Sequence, residues 1–220
     1  MTADSYPVTA RTTATRLRER VSYDRAAVHA VLDEALLCHV GFIIDGAPVV
    51  LPQLHARVQD RLYLHGSSGA RALRTARGEG LAVCVTVTLV DGLVLARSAF
   101  HHSINYRSVV IHGTAHEVTD DLEKQSALAS LVDCVVPGRS AAVRGASRKE
   151  RMATTVLRLD LENVSLKSRS GPPGDDEPDL ELPYWAGVLP IASVPGRPEP
   201  APDLSPAIAT PAHVSTWTRP

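Results

Sequence analysis

Two short stretches of this chain crowd together side chains that can hold an anion. The first is LYLHGSSGARALR, residues 62–74. A β-rich run ends at His65, Gly66 and Gly69 permit a tight turn and close backbone approach, Ser67 and Ser68 bring hydroxyls, and Arg71 and Arg74 follow where helical composition begins. Free N–H groups at a helix start, flanked by hydroxyls and a guanidinium, suit a phosphate. A plain turn with a helix cap uses the same residues. The second stretch is HHSINYRSVVIHG, residues 101–113. Alternate side chains of a strand share a face, so His101, Ser103, Asn105 and Arg107 point one way, and His102, Tyr106 and Ser108 the other. Arg107 and Ser108 offer a planar fork and a hydroxyl to a second part of the same ligand. The alternative is a polar rim whose members satisfy one another.

Other chemistries find less support. No G-x-S-x-G elbow is present, and Cys38, Cys84 and Cys134 lie in the apolar settings LLCHV, AVCVTV and VDCVV, as buried thiols do. Neither H-E-x-x-H nor C-x-x-C occurs, so no metal site is expected. Nine histidines leave haem open as a ligand, although strand histidines more often serve the core or the rim.

The elements that must position these groups can be read from periodicity and turn signals. Ser22 and Asp24 are good N-cap residues, and after them Val28, Val31, Leu32, Ala35 and Leu36 recur at helical spacing, giving a helix over roughly 25–36. HVGFIIDGAPVVLPQLHARVQDRLYLHG alternates β-rich runs with Asp45-Gly46 and Gln59-Asp60, which predicts three hairpin-linked strands. A short helix follows the Gly-Ser turn. LAVCVTVTLVDGLVLA is a long strand run with a turn signal at Asp91-Gly92, and YRSVVIHGTAHEVT is the next strand. Asp120 or Asp121 caps a helix carrying Leu122, Leu128, Leu131 and Val132, and TTVLRLDLENVSLKSRS closes the core as one strand. Short helices interrupting hairpin-connected strands predict a small closed antiparallel barrel, since a doubly wound parallel sheet needs a helix after nearly every strand.

Composition sets the boundaries. Of 16 prolines only three fall between residues 25 and 165, whereas most lie in the last fifty residues. The expected organisation is a disordered segment over 1–20, a core over 21–170 and an extended Pro-rich arm over 171–220. A net charge of −1 gives no reason to expect nucleic acid. The chain offers no apolar run of spanning length, so a cytoplasmic protein off the membrane is expected.

YLHGSSGARAL, a long apolar strand run, NYRSVVIHGTAHEV and an acidic helix start, in that order, resemble the pyridoxamine 5′-phosphate oxidase-like superfamily of FMN-binding split barrels. The likeness extends over about residues 20–170 and is nearer to the flavin-nucleotide-binding and nitroimidazole-resistance-like subgroup. It implies a mainly β fold with helices, namely a six-stranded antiparallel split β-barrel with flanking helices. It implies FMN as cofactor, with FAD, a deazaflavin or haem as alternatives, and a small-molecule substrate for an oxidoreductase. A non-catalytic flavin-binding module is the alternative function. The resemblance puts the flavin phosphate against Ser67, Ser68 and Arg71, with His65 facing the ring as a catalytic proton donor. It sets PQLHARV, with His55, along the isoalloxazine. Tyr106, Arg107 and Ser108, with His102, serve a flavin at a homodimer interface, and Lys167 and Trp185 close over the ligand. Two departures stand against vitamin B6 oxidase activity. Ala70-Arg71 stands where those enzymes carry a basic pair, and ELPYWAGVLPIASV stands where they carry an R-x-R-like segment.

Overall fold

Of the two cap candidates, Ser22 and Asp24, it is Asp24 that starts the first helix: its carboxylate accepts the Ala27 N–H at 2.7 Å. The structure is a computed structural model describing residues 4–76 and 78–218, with Arg71 and Ala72 described by backbone alone. Along the chain run β1 (Val21–Ser22), α1 (Arg25–Glu34), β2 (Leu37–Ile44), β3 (Ala47–Val58), β4 (Arg61–Ser67), α2 (Arg71–Thr75), β5 (Leu81–Leu95) and β6 (Ser103–Glu117). There follow α3 (Asp121–Val135), α4 (Arg148–Ala153), β7 (Thr154–Asp160), β8 (Asn163–Arg169), β9 (Gly187–Pro190) and α5 (Ala212–Ser215). Hydrogen bonding orders the strands β1-β8-β6-β7-β4-β3-β2-β5-β9, and β6 also pairs with β5. Six strands, β6-β7-β4-β3-β2-β5, therefore form a ring, the hydrogen-bonding pattern of an antiparallel split barrel. Among the described residues no helix is long and apolar enough to cross a membrane.

The chain divides into two units, and β5 and β6 each contribute residues to both. Unit 1 comprises residues 1–35, 85–112 and 162–192. Its core is aliphatic, with Val28, Val85, Val87, Val94, Val109, Ile111 and Val164 all fully buried. Here β6 pairs with β8 from Tyr106↔Arg169 to His112↔Asn163, and β5 pairs with β9 from Gly92↔Pro190 to Leu95↔Gly187. The turn expected at Asp91-Gly92 does not form, and β5 runs straight through it. Gly92 admits the neighbouring strand instead: a Cβ there would lie 3.2 Å from the Leu189 carbonyl oxygen and 3.0 Å from Val188 Cγ1. The N-terminal segment also departs from expectation, because Tyr6 is buried, its N–H donates to the Tyr23 carbonyl at 2.8 Å, and its hydroxyl bonds His29 Nε2 at 2.9 Å.

Unit 2 comprises residues 36–84, 113–161 and 193–220. Asp45 and Gly46 both take positive φ, the conformation a two-residue type I′ hairpin demands, and join β2 to β3 in register from Ile44↔Ala47 to Leu37↔Leu54. Strand β4 lies between β3 and β7, with Leu62, Leu64 and Leu159 buried. The single closing strand predicted for residues 154–170 is two, β7 and β8. The phase of the apolar alternation changes at the break, from Leu157, Leu159 and Leu161 to Val164 and Leu166, and the Leu161 N–H turns aside to the Asp60 carbonyl. The last part of the arm, read from its prolines as extended, belongs to this unit.

Candidate functional site

The predicted residues fall into two groups, one in each unit. In unit 2, β4 carries His65 toward its C-terminal end and delivers the chain to the Gly-Ser turn. The backbone donors of this turn are already engaged. The Ser68 N–H donates to the Ala153 carbonyl, the Ala70 N–H to the Ser67 carbonyl, and the Gly69 N–H to Ser67 Oγ at 3.3 Å. Gly66 serves packing rather than ligand approach, since a Cβ there would stand 2.6 Å from Leu73 Cδ1. Leu73 is how the short helix α2 seats itself, being 6% exposed. The side chain of Arg71 lies outside the described residues. His55, expected along a flavin ring, is wholly buried on β3 opposite Leu64, so its imidazole meets the core of the unit instead of a ligand surface.

His65 has a different setting. It lines a cavity of about 710 Å³ with Leu54, with Leu128, Leu131, Val132 and Val135 of α3, and with residues of the C-terminal segment that include Pro198, Leu204, Ile208 and Val214. The wall is largely apolar, and its charged residues are Arg139 and Glu199. His65 Nδ1 is buried with no hydrogen-bond partner among the described residues. Burial also pushes the imidazole below its ordinary pKa, because the charged ring has lost water without gaining an acceptor. The side chain is thus held neutral, with a nitrogen lone pair available.

In unit 1 the polar stretch splits as strand geometry requires, from Ser103 onward. Val109 and Ile111 are buried on the face that includes Arg107, while Tyr106 and Ser108 lie half-buried on the other. His101 and His102 precede the strand: His101 Nε2 lies 3.1 Å from Asp176, and His102 Nδ1 bonds the Ser98 carbonyl at 2.9 Å. The Arg107 guanidinium is gripped by two carboxylates, bidentate to Asp91 through Nε and Nη2 at 3.0 and 2.7 Å and bidentate to Glu34 at the end of α1. Those partners push its pKa further above the ordinary arginine value. Ser108 bonds the Thr88 hydroxyl at 2.9 Å and donates to the Val87 carbonyl at 3.1 Å. Lys167 stands opposite Ser108 in the ladder, on the same face. Trp185 is exposed and packs its ring over Gly187. In this unit the polar crowd therefore satisfies itself at Arg107 and Ser108 and leaves Tyr106 and Lys167 on an accessible face.

Sequence reasoning missed the apolar wall. Leu128, Leu131 and Val132 were legible as helix-period residues, but the Pro-rich segment supplies more than half of the lining. The signal it carried was the apolar series Leu204, Ile208 and Val214, spaced between prolines.

The sequence profile of the pyridoxamine 5′-phosphate oxidase family matches residues 24–168. The structure is similar to that of a flavocytochrome from Azotobacter vinelandii, at 39% identity and TM-score 0.87, covering 94% of this chain and 95% of that one. It is similar to an FAD- and haem-binding protein from Mycobacterium smegmatis at 38% identity and TM-score 0.86, covering 91% and 98% of the two chains. A candidate 5-nitroimidazole antibiotic resistance protein from Bacteroides thetaiotaomicron shares the fold at 22% identity and TM-score 0.55, over 67% of this chain and 85% of that one. A search of the curated proteins found no match.

Proposed function

Because the chain belongs to the pyridoxamine 5′-phosphate oxidase family, we propose that it is a flavin-binding redox protein that also takes haem, in the cavity walled by His65 and α3. The observation that carries this reading is His65: a neutral imidazole, with Nδ1 buried and unpartnered, on the wall of an apolar cavity of about 710 Å³. That volume lies within the range of about 300–1,000 Å³ usual for small-molecule and cofactor sites. A neutral imidazole is the common protein ligand of haem iron, and an apolar wall suits the macrocycle. Two relatives at 38–39% identity, each matched over nearly its full length, are by name a flavocytochrome and an FAD- and haem-binding protein. Those names favour FAD over the FMN implied by the family at large.

Flavin and haem supply hydride and one-electron chemistry when bound; the chain supplies binding, orientation and exclusion of water. In this reading His65 acts as an iron ligand more readily than as the proton donor inferred from sequence, since burial disfavours the protonated ring. Ser67, Ser68 and Arg71 remain the residues assigned to the flavin phosphate. Tyr106 and Lys167 on the accessible face of β6 and β8 are assigned to the ligand side of the sheet. The activity is an oxidoreductase reaction on a small molecule, outside vitamin B6 oxidation.

The test is the purified protein's colour and its response to added cofactor. Apoprotein titrated with hemin should develop a sharp Soret band that His65→Ala shifts or weakens while flavin binding persists, and mass spectrometry of released cofactor should identify FAD. A wild-type protein that binds flavin but gives no Soret band with hemin overturns the haem half of the proposal.

A further inference from the structure

On the cavity wall Arg139 has no counter-ion among the described residues. Arg139 follows α3 and lines the cavity, and no hydrogen bond or ion pair engages its guanidinium among the described residues. The loop that carries it is firmly built. Asp133 of α3 accepts the Ser140 N–H and the Ser140 hydroxyl, each at 2.7 Å, and these bonds hold its carboxyl below the ordinary aspartate pKa. The Arg139 N–H itself donates to the Val136 carbonyl at 3.1 Å. The Asp133 carboxylate is thus spent on the loop backbone and on Ser140, which fixes the backbone at Arg139 and leaves the guanidinium without an ion pair among the described residues.

We propose that Arg139 is the carboxylate anchor of this cavity, pairing with the acid groups of a flat apolar ligand, here the propionates of haem. The inference rests on the haem reading. A carboxylate cannot enter an apolar wall without a counter-charge or water, and a planar guanidinium can meet it with two parallel N–H···O bonds. Among the charged lining residues, Arg139 has the sign a carboxylate needs, and Glu199 has the opposite sign.

The experiment compares hemin with hemin dimethyl ester, which keeps the macrocycle and iron but has no carboxylates. For wild type, Arg139→Lys and Arg139→Ala, Kd is read from the Soret change, with thermal melting as the fold control. Arg139→Ala should weaken hemin about ten- to a hundredfold, the loss of a charge-assisted pair. Arg139→Lys should fall between, and the ester should bind all three proteins alike. Wild-type hemin affinity in Arg139→Ala overturns the assignment while leaving the haem site standing. Equal weakening of hemin and ester also overturns it, since the residue then acts through shape. Absence of a Soret band in the wild type removes the haem reading and this inference together.

Discussion

At His65 the imidazole is neutral because burial raises the cost of its charged form and no acceptor repays that cost. The consequence for stability follows from linkage. A histidine whose folded pKa lies below its unfolded value binds more protons unfolded, so it opposes folding as pH falls through the ordinary histidine value toward the folded one. Acidification from about pH 7 to 5 should therefore lower the melting temperature of wild type more than that of His65→Gln. Equal pH slopes in the two proteins would remove the burial argument. The turn beyond His65 carries a second residue-scale prediction. Arg71→Ala should weaken flavin binding roughly 10–150-fold, the cost of one charge-assisted contact, and Arg74→Ala much less, whereas riboflavin, lacking the phosphate, should barely distinguish them. Equal flavin affinities in isothermal titration would move the phosphate away from this turn. The residues themselves were legible in Y-L-H-G-S-S-G-A-R. The neutrality of His65 was not, because the groups that bury it come from α3 and from a segment over a hundred residues later in the chain.

At the scale of elements, local signals succeeded where one short segment decides the outcome. Asp24 and Asp120 cap their helices through their own carboxylates, and Asp45-Gly46 makes its hairpin by adopting positive φ. They failed where a distant strand or segment decides. Gly92 reads as a turn until β9 lies beside it, and the proline-rich segment reads only as an extended arm until its apolar residues line a cavity with those of α3. Gly66 belongs to the same class: it looks like a ligand glycine and packs against Leu73. Gly66→Ala should therefore unseat α2 from β4, costing about 1–3 kcal/mol and several degrees of melting temperature. At Gly69 the nearest atom to an added Cβ is Ser67 Oγ at 3.7 Å, so Gly69→Ala should melt close to wild type. A melting curve for Gly66→Ala that overlays the wild type would mean Leu73 has room to move.

The whole chain, with a net charge of −1, has little electrostatic repulsion to keep copies apart. It also carries an uncovered apolar sheet face. In the β2–β3 hairpin, pairing places Leu37, Ile43 and Val50 on one side with Pro48 and Pro52, opposite the buried Cys38, Val40 and Phe42. Leu37, Ile43 and Val50 are 51%, 59% and 62% exposed, far from the usual state of three aliphatic side chains on one strand pair. Contiguous exposed apolar faces of this kind mark interaction sites, and the dimer expected from the sequence would put a second copy of the same chain there. The paired residues Val50 and Gly41 put little bulk at the middle of this face, which leaves room for a partner's side chains. Light scattering in dilute buffer should accordingly give twice the chain mass of 23.5 kDa. Introducing charge as Ile43→Glu with Val50→Glu should return a monomer that keeps its fold, because neither side chain contributes to the core. A wild-type protein that scatters as a monomer with flavin bound would place the complete flavin site within one chain and leave the apolar hairpin face to another partner.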